Sequence, residues 1–383
     1  MERKMVTLRT IDKILPHNNA DSLELAMIGG WQVVVRKGEY YEGQQVFYAE
    51  IDSMIPLDRN YFKFLAPRGV KVVDGKEYHK LRTAKLRGEY SQGLIFPFSY
   101  FSMNPYSDWN EEQQIPSQYF DPDDCVDKEL EIMENGGDFS EYFGVFKYEP
   151  PIPEELKGKV LAFPGWIRKT DEERIQNIEP EVLESFINNP NFIATEKIDG
   201  TSCTIWARKN GDTIEYGVAS RNNGWVEDDT NMYWRAAKAP IMPGSLLNYA
   251  KDSAATLGDI VLQGELFGEN IQNNPYGCKG QFIRLFNLII NGRAIPYDEI
   301  KAEFPELLPF WVPIHENTLP ATIKEMLEQV DGITTKIPEA TKPSQIEGFV
   351  WRDSKNPTTT IGEEIVRNSF KVISNKYLLK HEN

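Results

Sequence analysis

Alternating apolar and polar positions fill the first third of this chain. Val6 to Ile14, Ser22 to Ile28, Trp31 to Val35 and Gln45 to Ala49 each read as a strand, with Gly29-Gly30 and Gly38 at turn spacing. His79 to Phe98 continues with two alternating runs around Arg87-Gly88. About five short strands at such spacing predict a small closed barrel. Pro150-Pro151-Ile152-Pro153 then marks a stiff linker, because each proline fixes φ and biases the preceding residue toward extended geometry. In the second half, Asn191 to Glu196 reads as a strand. Ser202 to Arg208 alternates into Asn210-Gly211, a strong hairpin signal, and Thr213 to Ser220 returns. Two helices are predicted: a short one over Glu181 to Asn188, and one over Pro320 to Val330 with Ile323, Met326, Leu327 and Val330 on one face.

Length and composition fit that division. A chain of 383 residues has material for two or three cores, and 40% hydrophobic with 12% aromatic residues indicates folded globules. For the barrel, an OB-fold is the compact choice that also binds nucleic acid. The net charge of −16 argues against indiscriminate nucleic-acid binding, since polyanion affinity comes largely from Lys and Arg neutralising phosphates. The charge is uneven, however. Arg68, Lys71, Lys76, Lys80, Arg82, Lys85 and Arg87 form a basic stretch with Tyr78 and Tyr90 close by, whereas Asp121 to Glu134 is crowded with carboxylates. The basic stretch reads equally as a nucleic-acid patch and as an exposed hairpin face. No apolar run approaches the roughly 18 to 20 residues that span a bilayer. Met1-Glu2-Arg3-Lys4 opens no signal-peptide pattern, so a cytoplasmic protein is expected. Cys125, Cys203 and Cys278 are scattered, indicating neither a disulfide framework nor a zinc site. His17, His79, His315 and His381 do not sit at metal-ligand or triad spacing.

Candidate chemistry concentrates at Thr195-Glu196-Lys197-Ile198-Asp199-Gly200-Thr201, which places one lysine between a strand end and a carboxylate-glycine turn. A lysine amine is a nucleophile only when neutral, and desolvation, a neighbouring cation or a bound metal lowers its pKa toward that state. Glycine after the carboxylate lets a ligand approach the backbone. A lone Lys-x-Asp-Gly is common by chance, usually as a solvated turn. Further segments follow in order: Ser220-Arg221-Asn222, Gln263-Gly264-Glu265-Leu266-Phe267-Gly268, Phe286-Asn287-Leu288-Ile289, Glu347-Gly348-Phe349-Val350 and Phe370-Lys371-Val372. Arg221 and Lys371 can neutralise phosphates, Glu265 and Glu347 are hard oxygen ligands suited to Mg²⁺ or Mn²⁺, and Phe286 offers a flat face to a nucleobase.

This ordered series, spanning Asn191 to Lys380, resembles the motifs of the covalent nucleotidyltransferases: ATP-dependent DNA ligases, RNA ligases and mRNA capping enzymes. The lysine motif and the Gly-Glu-Leu-Phe-Gly string look most like RNA ligases. His17-Asn18-Asn19-Ala20-Asp21 and Glu42-Gly43-Gln44-Gln45-Val46 look like OB modules that bind tRNA. DNA ligases and capping enzymes carry an OB domain after the last lysine motif, whereas twelve residues follow Lys371 here. The order therefore resembles ATP-dependent RNA ligases of the Deinococcus type. That resemblance implies an α+β chain: an N-terminal OB-like β-barrel with an acidic flank over 1–145, a linker over 146–157, and a nucleotidyltransferase domain over 158–383. The latter is expected to be ATP-grasp-like, with antiparallel sheets and flanking helices.

It also implies attack of Lys197 on the α-phosphorus of ATP, transfer of AMP to a 5′-phosphate RNA end, and sealing by a 3′-hydroxyl. By carry-over the catalytic set is Lys197, Asp199, Arg221, Glu265, Glu347 and Lys371. Glu196, Ile198, Gly200, Ser202 and Phe286 would join Lys197, Arg221, Glu265 and Lys371 around ATP, and Asp199, Glu265 and Glu347 would face Mg²⁺ or Mn²⁺. The implied partner is RNA, the implied state a monomer and the implied role RNA repair. A DNA-joining enzyme and a non-catalytic RNA-binding protein with a vestigial lysine pocket are the alternatives. Two departures stand out: many relatives end in Lys-x-Lys where this chain has Lys371-Val372-Ile373, and several carry aspartate where it has Asn287. Lys376 and Arg367 are the candidate substitutes for the missing lysine.

Overall fold

A computed structural model describes residues 3–102, 132–133, 137–149, 154–240, 244–361 and 364–381. The chain divides into two compact units, Met1–Pro151 with Leu379–Asn383, and Ile152–Leu378. Among the described residues no helix is long and apolar enough to cross a membrane. Pro150 to Pro153 and nearly all of Asp121 to Glu134, with Cys125, lie outside the described residues.

In the first unit the predicted strand over Val6 to Ile14 is two strands, Val6–Thr10 and Lys13–Pro16, in different sheets. Ile11 is fully buried between them, and the Asp12 carboxylate accepts the Gly29 N–H at 2.6 Å, so the chain turns where alternation alone would carry it straight on. Gln45–Ala49 lies between Val6–Thr10 and Leu94–Pro97, antiparallel to both. Lys13–Pro16, Leu23–Ile28 and Trp31–Arg36 form a meander. The core gathers around the fully buried Phe47, whose ring lies 4.9 Å from those of Phe139 and Phe143. The basic stretch folds partly as a hairpin, Lys71–Val73 with Lys76–Lys80, and Lys71 sits 3.7 Å above the Tyr148 ring. That hairpin's sheet reaches Phe146–Lys147, which pairs with Ser53–Pro56, so regular structure continues past residue 145.

The second unit is built on two antiparallel sheets. One has seven strands, in the order Val160–Ala162, Asn223–Trp225, Thr213–Ala219, Thr201–Asn210, Ile260–Gly268, Gln281–Ile290 and Arg293–Ala294. The other has four, in the order Ile314–His315, Phe192–Lys197, Gly348–Asp353 and Ser369–Ile373. Successive side chains of a strand point to opposite faces, and each sheet uses one face for a core under helices. Ala194, Phe349, Trp351, Phe370 and Val372 pack with Phe186 of the helix Pro180–Ile187 and with Met326 and Val330 of the helix Ile323–Val330. Cys203, Ile205 and Ala207 pack with Leu246, Leu247, Ala250 and Ala254 of the helix Leu246–Leu257. The predicted helix over Pro320 to Val330 begins three residues later, because Thr322 and Glu325 form a reciprocal capping box.

Candidate active site

The alternate positions, left over from the cores, meet at one cavity. Thr195 and Lys197 from one strand, Val350 and Arg352 from its neighbour and Lys371 from the next line it on the four-stranded side, while Ser202, Glu265 and Phe286 line it from the seven-stranded sheet. Its volume is about 350 Å³. Ile198-Asp199-Gly200 carries the chain from one sheet to the other, so Lys197 ends a strand at the cavity wall. Only glycine fits at position 200, where a Cβ would collide with the Leu266 carbonyl.

Lys197, Glu265, Arg221, Phe286, Ser202, Ile198, Gly200, Glu196 and Lys371 are thus brought together, as the sequence suggested. Asp199 and Glu347 are not among the lining residues. Glu347 accepts a hydrogen bond from Lys197 Nζ at 2.6 Å. Asp199 accepts one from the Tyr377 hydroxyl and donates its backbone N–H to Tyr276 at 2.7 Å. Glu196 lines the cavity, but its carboxylate is committed elsewhere, to His315 Nε2 at 3.1 Å, the Lys336 N–H at 2.9 Å and the Thr335 hydroxyl.

The electrostatics correct one expectation. Burial pulls the Lys197 pKa down, but the carboxylates of Glu347, Glu265 and Asp199 more than offset it, so the amine is held above its ordinary value as an ammonium. Glu265 and Asp199 are also raised, which for an acid favours the neutral form. Burial, with Glu347 and Asp199 nearby, pushes Glu265 up to about 8, against the pull of Lys197. Burial and Glu347 push Asp199 to about 6, against the Tyr377 hydrogen bond and Lys197. Three acids thus share one ammonium, a donor set with cation demand to spare. The folded protein keeps protons on Glu265 and Asp199 over a pH range in which the unfolded chain has released them. Their contribution to stability is therefore full below about pH 4 and is lost as pH rises through about 6 and about 8. Glu265→Gln is expected to flatten that slope, gaining on the order of 1 to 3 kcal/mol over the wild type at pH 8 and little at pH 4. Urea melts in chelator at the two pH values measure it; parallel curves would contradict the raised acid.

Phe286 reaches the cavity through a bulge. Gln263 pairs with Asn287 and Gly264 with Leu285, leaving Phe286 as the extra residue. The bulge resets the alternation, with Leu285 and Leu288 both in the core. Asn287 accepts from Arg352 at 2.9 Å and donates to Gln263 at 2.9 Å, so here the amide positions an arginine. That arginine escaped the sequence reading. Arg352 lines the cavity, ion-pairs with Glu172 at 3.1 Å and lies 5.4 Å from the Phe286 ring centroid. Period two along Glu347-Gly-Phe-Val-Trp-Arg would have pointed to it, because Gly348, Val350 and Arg352 share a face. Among the described residues, the buried Nε donors of Arg352 and Arg221 find no hydrogen-bond partner.

The remaining wall is Thr170-Asp171-Glu172. Thr170 meets the Ser202 hydroxyl at 3.1 Å, Asp171 pairs with Arg221 at 2.7 Å, and Glu172 accepts from the Ser369 hydroxyl at 2.6 Å. Neither substitute for the missing lysine lines the cavity. Arg367 donates to the carbonyls of Asp171 at 2.8 Å and Lys169 at 2.7 Å, tying down this wall, and Lys376 is exposed beside Asp331 at 3.8 Å. Ile373 is buried. Arg352 is the additional lining cation.

The comparisons with known proteins bear on both units. An OB-fold domain family matches residues 5–98, and an RNA ligase family matches residues 190–373. No curated protein matches the chain. Among solved structures, a Naegleria gruberi RNA ligase with PPi is 31% identical over 100% of this chain and 99% of its own, with a TM-score of 0.74. A variant of that ligase with ATP and Mn is 32% identical over 100% of both chains, with a TM-score of 0.74. A variant with AMP and Mn is 31% identical over 99% of both, with a TM-score of 0.73. An N-terminal OB fold, a lysine cavity between two antiparallel sheets and end-to-end likeness to a solved relative lead to one conclusion: this chain belongs to the RNA ligase family.

Proposed function

We propose that the protein is an ATP-dependent ligase that seals RNA ends through a lysyl-AMP intermediate, in RNA repair. The observation that carries this reading is Lys197 at the wall of a nucleotide-sized cavity, with Phe286 for the base and Arg221, Arg352 and Lys371 for phosphates. Lys197 Nζ attacks the α-phosphorus of ATP, the N–P bond forms, and pyrophosphate leaves with the bonding electrons. The ammonium must first lose a proton, and Glu347 at 2.6 Å is its nearest acceptor. A 5′-phosphate oxygen of RNA then takes the AMP, freeing the lysine. Finally a 3′-hydroxyl attacks that activated phosphate, forms the phosphodiester and expels AMP.

A divalent metal fits the acid-rich side of this site. Among the described residues no group of three or more His, Cys, Asp or Glu side chains is placed to hold a metal ion alone. Mg²⁺ or Mn²⁺ would therefore be held by one or two of Glu265, Glu347 and Asp199, with phosphate oxygens and water completing the shell. Bound there, it would neutralise phosphate charge and relieve the carboxylate field that keeps Lys197 protonated. Both effects favour the neutral amine.

The reading is tested with ATP labelled at the α- or the γ-phosphate, plus Mn²⁺. The expected result is an acid-labile protein adduct from α-labelled ATP only, followed by joining of 5′-phosphate RNA to a 3′-hydroxyl strand. Absence of the adduct, or an adduct carrying the γ-phosphate, would overturn it. Joining confined to strands with a deoxyribose 3′ end would make the enzyme a DNA-joining one.

A further inference from the structure

Gly268 to Gly280 closes the hairpin between the strand that carries Glu265 and the strand that carries Phe286. Four non-glycine residues within it adopt left-handed backbone conformations: Asn270, Gln272, Asn273 and Asn274, with φ of 63°, 46°, 58° and 48°. Asparagine tolerates that region better than most residues, but four in five positions is a costly loop to hold. The loop is firmly anchored nonetheless. Ile271 and Tyr276 are buried in the core, and the Asn274 amide is spent on both backbone groups of Cys278, at 2.9 and 3.0 Å. What the anchors hold out are the exposed amides of Asn270, Gln272 and Asn273.

Two further observations say what these amides face. Gln272 Nε2 donates to the carbonyl of Gly200 at 3.3 Å, so the loop abuts the turn that follows Lys197. On its other side, Asn270 lines a second cavity of about 300 Å³ together with Arg235, Glu269, Gly280, Gln281, Ala236 and Ala239. Arg235 is exposed and held by the Thr230 carbonyl at 3.2 Å and the Gln281 side chain at 2.9 Å, and among the described residues no carboxylate is paired with it. Lys279, which precedes the lining Gly280 in sequence, is exposed. Glu269, Gln281, two alanines and Gly280 make up the rest, and none of these lining residues is an aromatic on which a base could stack.

We infer that this cleft binds one ribose and its phosphate from the RNA strand being joined, Arg235 taking the phosphate and the Asn270 amide the 2′-hydroxyl. A guanidinium suits a phosphate, and a side-chain amide can both donate to and accept from a hydroxyl. The 2′-hydroxyl is the group that distinguishes RNA from DNA at a given position. Reading sugar and phosphate without the base also leaves sequence unread, which suits an enzyme that joins arbitrary ends. This inference rests on the ligase reading above and extends it to where RNA lies.

The test separates the lysine's chemistry from RNA engagement. Asn270→Gly removes the amide and relaxes the left-handed backbone, Arg235→Ala removes the charge, and Arg235→Lys restores it. Thermal melts establish that each variant folds. Adduct formation from ATP alone should stay within about twofold of wild type in all of them. Joining of an all-RNA nick should fall about tenfold in Asn270→Gly, with little change when the flanking nucleotides are deoxyribose, because one hydroxyl contact is lost. Arg235→Ala should weaken RNA and DNA nicks alike and lower the salt dependence of binding by about one phosphate contact, with partial recovery in Arg235→Lys. Joining at wild-type rates in both Asn270→Gly and Arg235→Ala, or adduct formation falling in step with joining, would overturn the cleft assignment. Failure of the wild type to form the adduct would instead overturn the ligase reading.

Discussion

Lys197→Ala is expected to abolish the labelled adduct, with the rate of lysine adenylylation reduced at least roughly a thousandfold, because it removes the amine on which the N–P bond forms. Lys197→Arg sharpens the result. It keeps a cation against Glu347, Glu265 and Asp199, so it should melt close to wild type, yet its guanidinium is no nucleophile and the adduct should still be absent. Both variants should nonetheless join RNA supplied with a pre-adenylated 5′ end, since the last step does not use the amine as nucleophile. Adduct in either variant, read by gel after α-labelled ATP, would assign the chemistry to a different residue.

Gly348→Ala is expected to damage both stability and activity although it adds a single methyl group. Gly348 is flanked on both sides of its strand, pairing with Lys197 and with Ile373, and a Cβ there would fall within contact of the Val372 carbonyl and the Ile373 Cα. These are backbone atoms of a paired strand, so relief requires the strands to separate. Overpacking of this kind costs about 1 to 3 kcal/mol. The displacement also acts beside Glu347, which sits 2.6 Å from the nucleophile. Misplacement by about 1 Å can cost roughly a hundredfold in rate. Single-turnover adenylylation and urea melts of the same preparation measure the two effects, and a variant matching wild type in both would show that the strands yield more readily than their pairing suggests.

The two expectations differ in where they could be seen. Lys197 was legible from local pattern alone, because a strand, one lysine and a carboxylate-glycine turn lie within seven consecutive residues, and the later segments follow in a fixed order. The Gly348 requirement was invisible, because what forbids a side chain there is the carbonyl of residue 372. The same holds for the state of the nucleophile. Sequence chemistry anticipated a lysine with depressed pKa, whereas the assembled protein surrounds it with Glu347, Glu265 and Asp199 and raises it. No spacing in the chain reveals that residues 150 apart are joined by a hydrogen bond. Phe286 was read as a candidate stacking face, but the bulge that leaves it as the extra residue of its strand is a property of the pairing with Gln263 and Gly264. Arg352 lay within reach of a period-two reading from Gly348. The clamp that Arg367 places on the wall at residues 169–171 did not, since it joins segments almost 200 residues apart.

By itself, then, the sequence determined the strand-rich character of both halves, the candidate nucleophile and the inventory of acids and cations available to it, because alternation, turn chemistry and side-chain type are local properties. Only the tertiary structure decided which of those groups line the cavity, which are spent on neighbours and which way each acid and the amine titrate. The physical reason is that all of these depend on distance and dielectric between residues far apart in the chain, and antiparallel pairing of two sheets sets those distances.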